Sequence, residues 1–193
     1  MTPPCPHPAA QAAAPRRTPP RRRLLCAALA ACLLTACGDD AYESPVPMGR
    51  YIRYTCNIHT VNAACGQTAG QPQLDSPGGY VRIYDPRLFT AGDEPGVAGF
   101  LLLQSGIDLG RFYAFDLACP YCYRQGYTSA AARRVVMMDD GLTARCEACA
   151  SEFGAVLWGS PAPTAGPANA EGYILRQYRA ALLADGYTLV VTK

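Results

Sequence analysis

An all-β domain, an antiparallel sandwich or small barrel, is the fold class this sequence predicts, and three observations predict it. Nine short runs are rich in Tyr, Val, Ile and Phe, Gly, Pro and Asp punctuate them at sandwich-like intervals, and side chains alternate where a run is cleanest. The runs are GRYIRYTCNI, GGYVRIYD, GVAGFLLLQS, RFYAFDLAC, RRVVMMDD, LTARC, EFGAVLW, YILRQYRAALL and YTLVVTK. In Tyr80-Val81-Arg82-Ile83 the pattern sends Val81 and Ile83 to a core and Arg82 to the other face. The segment from Ala168 to Leu183 contains several good helix formers, yet the Asp185-Gly186 step after it suits a primed hairpin turn. That segment is therefore read as a strand paired with the last run, and the domain ends at Lys193.

The chemistry is concentrated in two C-x2-C steps. Cys119 and Cys122 lie in Cys-Pro-Tyr-Cys, Cys146 and Cys149 in Cys-Glu-Ala-Cys, with twenty-three residues between the pairs. A C-x2-C pair on a tight turn points both sulfurs to one side, and two facing turns complete a tetrahedral sulfur shell. Paired motifs of this spacing are metal signatures, and the competing reading is two disulfides, because the chain carries export signals.

Those signals open the chain. Five arginines, Arg16, Arg17, Arg21, Arg22 and Arg23, precede the apolar run from Leu24 to Thr35, which is too short for a bilayer span and fits the core of a secretory signal. It ends in Leu34-Thr35-Ala36-Cys37, which resembles the bacterial lipobox. The expectation is a signal peptide over residues 1–36, a lipidated Cys37 heading a polar tether over 37–48, and a β domain over 49–193. The product would sit in the cell envelope, anchored to a bacterial membrane on its periplasmic or outer side.

Processing reverses the charge. The precursor carries 17 basic and 15 acidic residues, and removing the five signal arginines leaves twelve basic residues against all 15 acids. An acidic exported domain without a basic stripe excludes nucleic acid as a partner. At this length a single domain buries roughly 68–70% of its unfolded surface, enough for an independent core.

Other motifs exclude more than they suggest. Asp139-Asp140-Gly141 reads as a turn, the glycine-rich pieces match no phosphate cradle, and the mature segment has neither a Gly-x-Ser-x-Gly elbow nor a triad histidine. A closed four-sulfur site leaves no open position for metal-assisted hydrolysis. Cys56 and Cys65, with eight residues between them across a loop, are expected to form a disulfide; the alternative is a second metal site with His59. Trp158, Tyr121 and Tyr123 are candidates to shield the four-cysteine centre from water.

The order of these pieces resembles the Rieske ferredoxin family. The likeness rests on Ala114-Phe115-Asp116-Leu117-Ala118-Cys119-Pro120, the second loop followed by Ser151-Glu152-Phe153, Gly166-Pro167-Ala168, and Leu175-Arg176-Gln177-Tyr178. It covers about 111–193 and implies a Rieske-like domain with two metal-binding hairpin loops and single-electron transfer to or from a redox protein partner. The departure is in the ligands, since Rieske loops carry histidines and this chain has none there. By position Cys119 and Cys146 match the family's cysteines, Cys149 stands where the second loop's histidine stands, and Cys122 falls one residue beyond the first loop's histidine. A 2Fe-2S cluster on four thiolates would have a potential nearer the roughly −400 mV of plant-type ferredoxins than the higher Rieske range. Four readings stand: a 2Fe-2S cluster first, then structural Zn2+ in a non-redox binding or assembly lipoprotein, then two disulfides, and last mononuclear iron.

Overall fold

The structure, a computed structural model, describes residues 42–49, 51–68, 70–127 and 133–193. The expected signal peptide and Cys37 lie outside the described residues. All pairings between its nine strands are antiparallel, so the all-β expectation holds at the level of class. A six-stranded sheet has the order β1-β9-β8-β4-β3-β2, and a three-stranded one the order β5-β6-β7. The large sheet comprises β1 (Arg53–Asn57), β2 (Tyr80–Ile83), β3 (Phe100–Gln104), β4 (Phe112–Asp116), β8 (Gln177–Leu182) and β9 (Thr188–Thr192). The small sheet, β5 (Val135–Met137), β6 (Ala144–Cys146) and β7 (Glu152–Phe153), is inserted in sequence between β4 and β8.

β8 joins two halves of the large sheet. Tyr178 and Gln177 pair with Ala114 and Phe115 of β4, whereas Arg179 to Leu182 pair with β9. The result is two cores, one on each face of β3 and β4. Phe100, Leu102, Phe112 and Ala114 enter a core with Tyr54, Val81, Ile83, Leu189 and Val191. Leu101, Leu103, Phe115 and Leu117 enter the other, together with Cys119, Cys122, Cys146 and Phe153. This explains why FLLLQ has no alternation: every residue of β3 is buried, because both faces of the strand are covered.

Three local expectations change. The Ala168–Leu183 segment is not strand throughout: Pro167–Ala170 forms a one-turn helix before β8 begins, with Pro167 at the first helical position, where a missing amide costs nothing. The β8–β9 connection is not a primed two-residue turn, which needs positive φ at both central residues. Only Gly186, at φ 77°, has it, and Leu183 pairs with Thr188 across a four-residue loop. The Asp139-Asp140-Gly141 turn repeats this device: Gly141 has φ 65°, and Met138 bonds to Thr143. In each loop the aspartate before the glycine accepts two following amides, Leu142 and Thr143 on Asp140, Tyr187 and Thr188 on Asp185.

The third change concerns the expected tether. From Glu43 the chain is part of the domain: Glu43 forms a parallel bridge with Tyr173, and Ile174 N–H donates to the Glu43 carbonyl at 3.3 Å. Arg176 donates to the carbonyls of Val46 at 2.6 Å and Ser44 at 2.7 Å, and Val46 is fully buried in the core that contains the knuckle cysteines. A polar composition hid this strap, because its attachment is through backbone carbonyls and one valine.

A buried carboxylate ties the end of β4 to its neighbours. Asp116, fully buried, accepts from the amides of Val97 (2.6 Å), Ala98 (3.1 Å) and Ala118 (2.8 Å) and from the Tyr178 hydroxyl (2.8 Å). Burial pushes its carboxyl up, and the four donors pull against that shift. Tyr178→Phe removes one donor without changing shape. It is expected to lower stability by roughly 1.5–3 kcal/mol, the worth of a hydrogen bond to a charged group, as measured by denaturant unfolding.

The two Asp-Gly loops give a pH signature. Amides of Leu142 and Thr143 hold the Asp140 carboxyl below the usual range, and the Thr188 hydroxyl and amide do the same for Asp185. Depressed carboxyls contribute stability that is fully present above the unfolded value, about 3.9, and is lost as pH falls through the lower folded values. Asp140→Asn with Asp185→Asn is therefore expected to flatten the acid limb of the stability profile. An unchanged slope below about pH 4 would contradict the assignment.

Candidate metal centre

The two knuckles are built differently and meet on the face of β3 and β4 that carries Leu101, Leu103 and Phe115. The first grows directly out of β4. Cys119 caps a short helix, Pro120–Arg124, its amide donates to the Arg133 carbonyl at 3.1 Å, and Tyr123 N–H donates to the Cys119 carbonyl at 2.9 Å. Pro120 at the first helical position fixes the turn that brings Cys122 back beside Cys119. The second knuckle is the turn after β6. Ala150 N–H donates to the Cys146 carbonyl at 2.8 Å, Cys146 N–H donates to the Ser151 carbonyl at 2.9 Å, and Ala150 takes a left-handed conformation at φ 57°.

All four sulfurs lie within 4.8 Å of one another. Cys119 and Cys149 approach to 3.6 Å and Cys122 and Cys146 to 3.7 Å, close to the tetrahedral edge of about 3.8 Å that four metal–sulfur bonds of about 2.3 Å would give. Cys119, Cys122 and Cys146 are buried and Cys149 is partly so. The donor set, its spacing and its burial fit one four-coordinate metal ion. Among the described residues this is the one group of three or more Cys, His, Asp or Glu near enough to hold an ion.

Four thiols this close share their protons as a set. A hydrogen bond shared with Cys119 pulls the Cys146 thiol down, against burial, helped by the amides of Cys149 and Ala148. That bond and burial push Cys119 up, while burial and the charge on Cys146 push Cys122 up to about 12. Arg133 opposes the last shift. Its guanidinium lies 3.9 Å from the Cys122 sulfur and 3.6 Å above the Tyr127 ring, which holds a cation at the edge of the thiolate cluster.

Residues beyond the cysteines complete the site. Ser151, fully buried, accepts from the Cys149 sulfur at 3.1 Å and from the Ala168 amide at 3.0 Å, so it links the second knuckle to the crossing loop. Gly166, at φ 76°, permits that loop to lie flat on the knuckle; a Cβ there would stand 2.6 Å from the Ala150 carbonyl. Composition gave no signal for Arg133, and Ser151 stood in the run after the second loop without a role. Asp116 and Tyr178 stood inside the family-like motifs without a role.

Of the proposed aromatic shields, Tyr121 and Tyr123 pack against the core that contains the cysteines, and Trp158 does not. Trp158 is 54% exposed, and Leu157 takes the inward place. The reason is Ala155 at φ 61°, which starts a 3-10 turn over Val156–Trp158 that buries Val156 and Leu157. Cys56, in β1, and Cys65, at the end of the helix Val61–Ala64, are both partly buried. Burial followed by the charge of Cys65 pushes Cys56 up to about 12, and burial followed by Asp85 pushes Cys65 up to about 11. His59 stands on an exposed turn with Nδ1 2.9 Å from Asp75, apart from any ligand cluster.

Comparison with protein-family models, with curated proteins and with solved structures finds no match.

Metal binding must displace protons from thiols held up by burial, so affinity is expected to fall as pH drops. Chelator competition at about pH 8 and about pH 6 checks this, and equal affinities would contradict it. Ser151→Ala leaves all four cysteines in place and removes the hydroxyl that bonds the Cys149 sulfur. A loss of roughly 10–100-fold in metal affinity is expected, whereas Cys119→Ser should abolish tight binding.

Proposed function

We propose that this chain is an exported lipoprotein, acylated at Cys37, whose Rieske-like β domain is closed by a single zinc ion on Cys119, Cys122, Cys146 and Cys149. On this reading the domain is a non-redox binding or assembly module of the bacterial cell envelope. The observation that carries it is the 4.8 Å span of the sulfurs. A two-iron cluster places its irons and bridging sulfides between two sulfur pairs and spreads them further than the ligands of one ion. Zinc suits four buried thiolates with no open position, and it contributes folding energy to a lobe whose strands are two or three residues long.

The Rieske resemblance is supported by where its motifs fall. Asp116 ends the strand before the first knuckle, Phe153 lies in the strand after the second, and Gly166-Pro167-Ala168 crosses over that knuckle. Leu175 to Tyr178 then opens the final hairpin. These placements favour a second reading, electron transfer through a 2Fe-2S centre in the same loops. Export also favours closure of Cys56 and Cys65 into a disulfide.

Metal and sulfide analysis of anaerobically purified mature protein decides between the two. One zinc per chain, no visible absorbance and no reversible potential are the expected result. Two irons with two labile sulfides would replace it with the electron-transfer reading. Alkylation of the denatured, unreduced protein tests the disulfide, and labelling at both Cys56 and Cys65 would exclude it.

A further inference from the structure

We infer that the knuckle end of the domain faces the lipid surface, held there by the strap, and that Tyr42, Tyr123, Tyr173 and Arg124 form the contacting face. The inference rests on the Cys37-lipidated reading. It begins with where the strap leaves the domain. The bridge of Glu43 to Tyr173 and the Arg176 bonds to Ser44 and Val46 fix the chain along the start of β8. Glu43 and Pro45 then line a cleft of about 390 Å3 whose other walls are Tyr123, Arg124 and Tyr173. Tyr123 and Arg124 belong to the first knuckle's helix, next to Cys122.

The strap therefore leaves the domain beside the four cysteines, and few residues separate it from Cys37 in the sequence. Cys37 precedes Tyr42 by five residues, which span at most about 18 Å when fully extended. A diacylated Cys37 lies at the bilayer interface, so the knuckle end has little freedom to turn away. The composition of the face suits that position. Tyr42 is 58% exposed, Tyr123 and Tyr173 are half-buried with rings in the cleft wall, and Arg124 is exposed. Amphipathic tyrosines and a long basic side chain are the residues favoured at the level of lipid headgroups. Glu43 shares the cleft, so a zwitterionic lipid is the appropriate surface.

The test uses the acylated full-length mature protein in phosphatidylcholine vesicles with and without bromine on the acyl chains. Trp158, the sole tryptophan, is changed to Phe, and a reporter is introduced as Tyr123→Trp or Tyr173→Trp. The reference is Tyr187→Trp, on the β8–β9 loop, separated from Arg176 by the six residues of β8, about 20 Å. Metal content confirms that each variant folds. Quenching several-fold stronger at 123 or 173 than at 187 is the expected result; equal quenching, or stronger quenching at 187, overturns the orientation while leaving the lipoprotein reading in place. Mass analysis of the N-terminal peptide separates the two failures: a Cys37 without acyl chains removes the anchor and the orientation with it.

Discussion

Four sulfur atoms confined within 4.8 Å, three of them buried, are the constraint on which the rest of this structure depends. Buried thiolates at that spacing cannot all ionise beside one another without a cation, because nothing in a dry interior screens their repulsion. The lobe that carries them cannot supply much stability of its own. Its sheet has strands of three, three and two residues, below the size at which strands are independently stable. A larger sheet to lean on meets that deficit, and the four cysteines are close enough to add a metal ion to it.

The large sheet provides its support through β3 and β4, whose residues alternate between two cores. Leu101, Leu103 and Phe115 hold the knuckle lobe on one face, while Phe100, Leu102 and Ala114 bind the opposite face to β1, β2 and β9. The transition from sheet to knuckle is fixed at Asp116, three residues before Cys119. Its carboxylate gathers amides from Val97, Ala98 and Ala118 and the hydroxyl of Tyr178, so two chain segments and β8 are tied to the point where the first knuckle begins. Ser151 performs the corresponding task at the second knuckle, where one hydroxyl bridges the Cys149 sulfur and the crossing loop.

The strap adds a third restraint. Val46 closes the core that contains Cys119, Cys122 and Cys146, and Arg176 holds the strap by its carbonyls rather than by its side chains. The strap from Glu43 to Val46 is thus mechanically joined to the surroundings of the knuckles. That connection places the strap and the four-cysteine cluster at one end of the described domain.

Local chemistry fixed much of this in the sequence. Branched and aromatic runs between Gly, Pro and Asp signals marked all nine strands, because strand propensity and turn chemistry act over a few residues. Two C-x2-C steps marked the ligands, because a tight turn alone brings two sulfurs to one side. The places where the sequence misled were choices between distant partners. Trp158 and Leu157 are both apolar neighbours, and only the left-handed turn at Ala155 decided which faces inward. Ser44 to Val46 look like tether until Arg176, 130 residues further along, binds their carbonyls. Periodicity and spacing report what a residue can do within its own segment; which surface it meets depends on contacts whose partners lie far away in the chain, and those are set only when the two cores close.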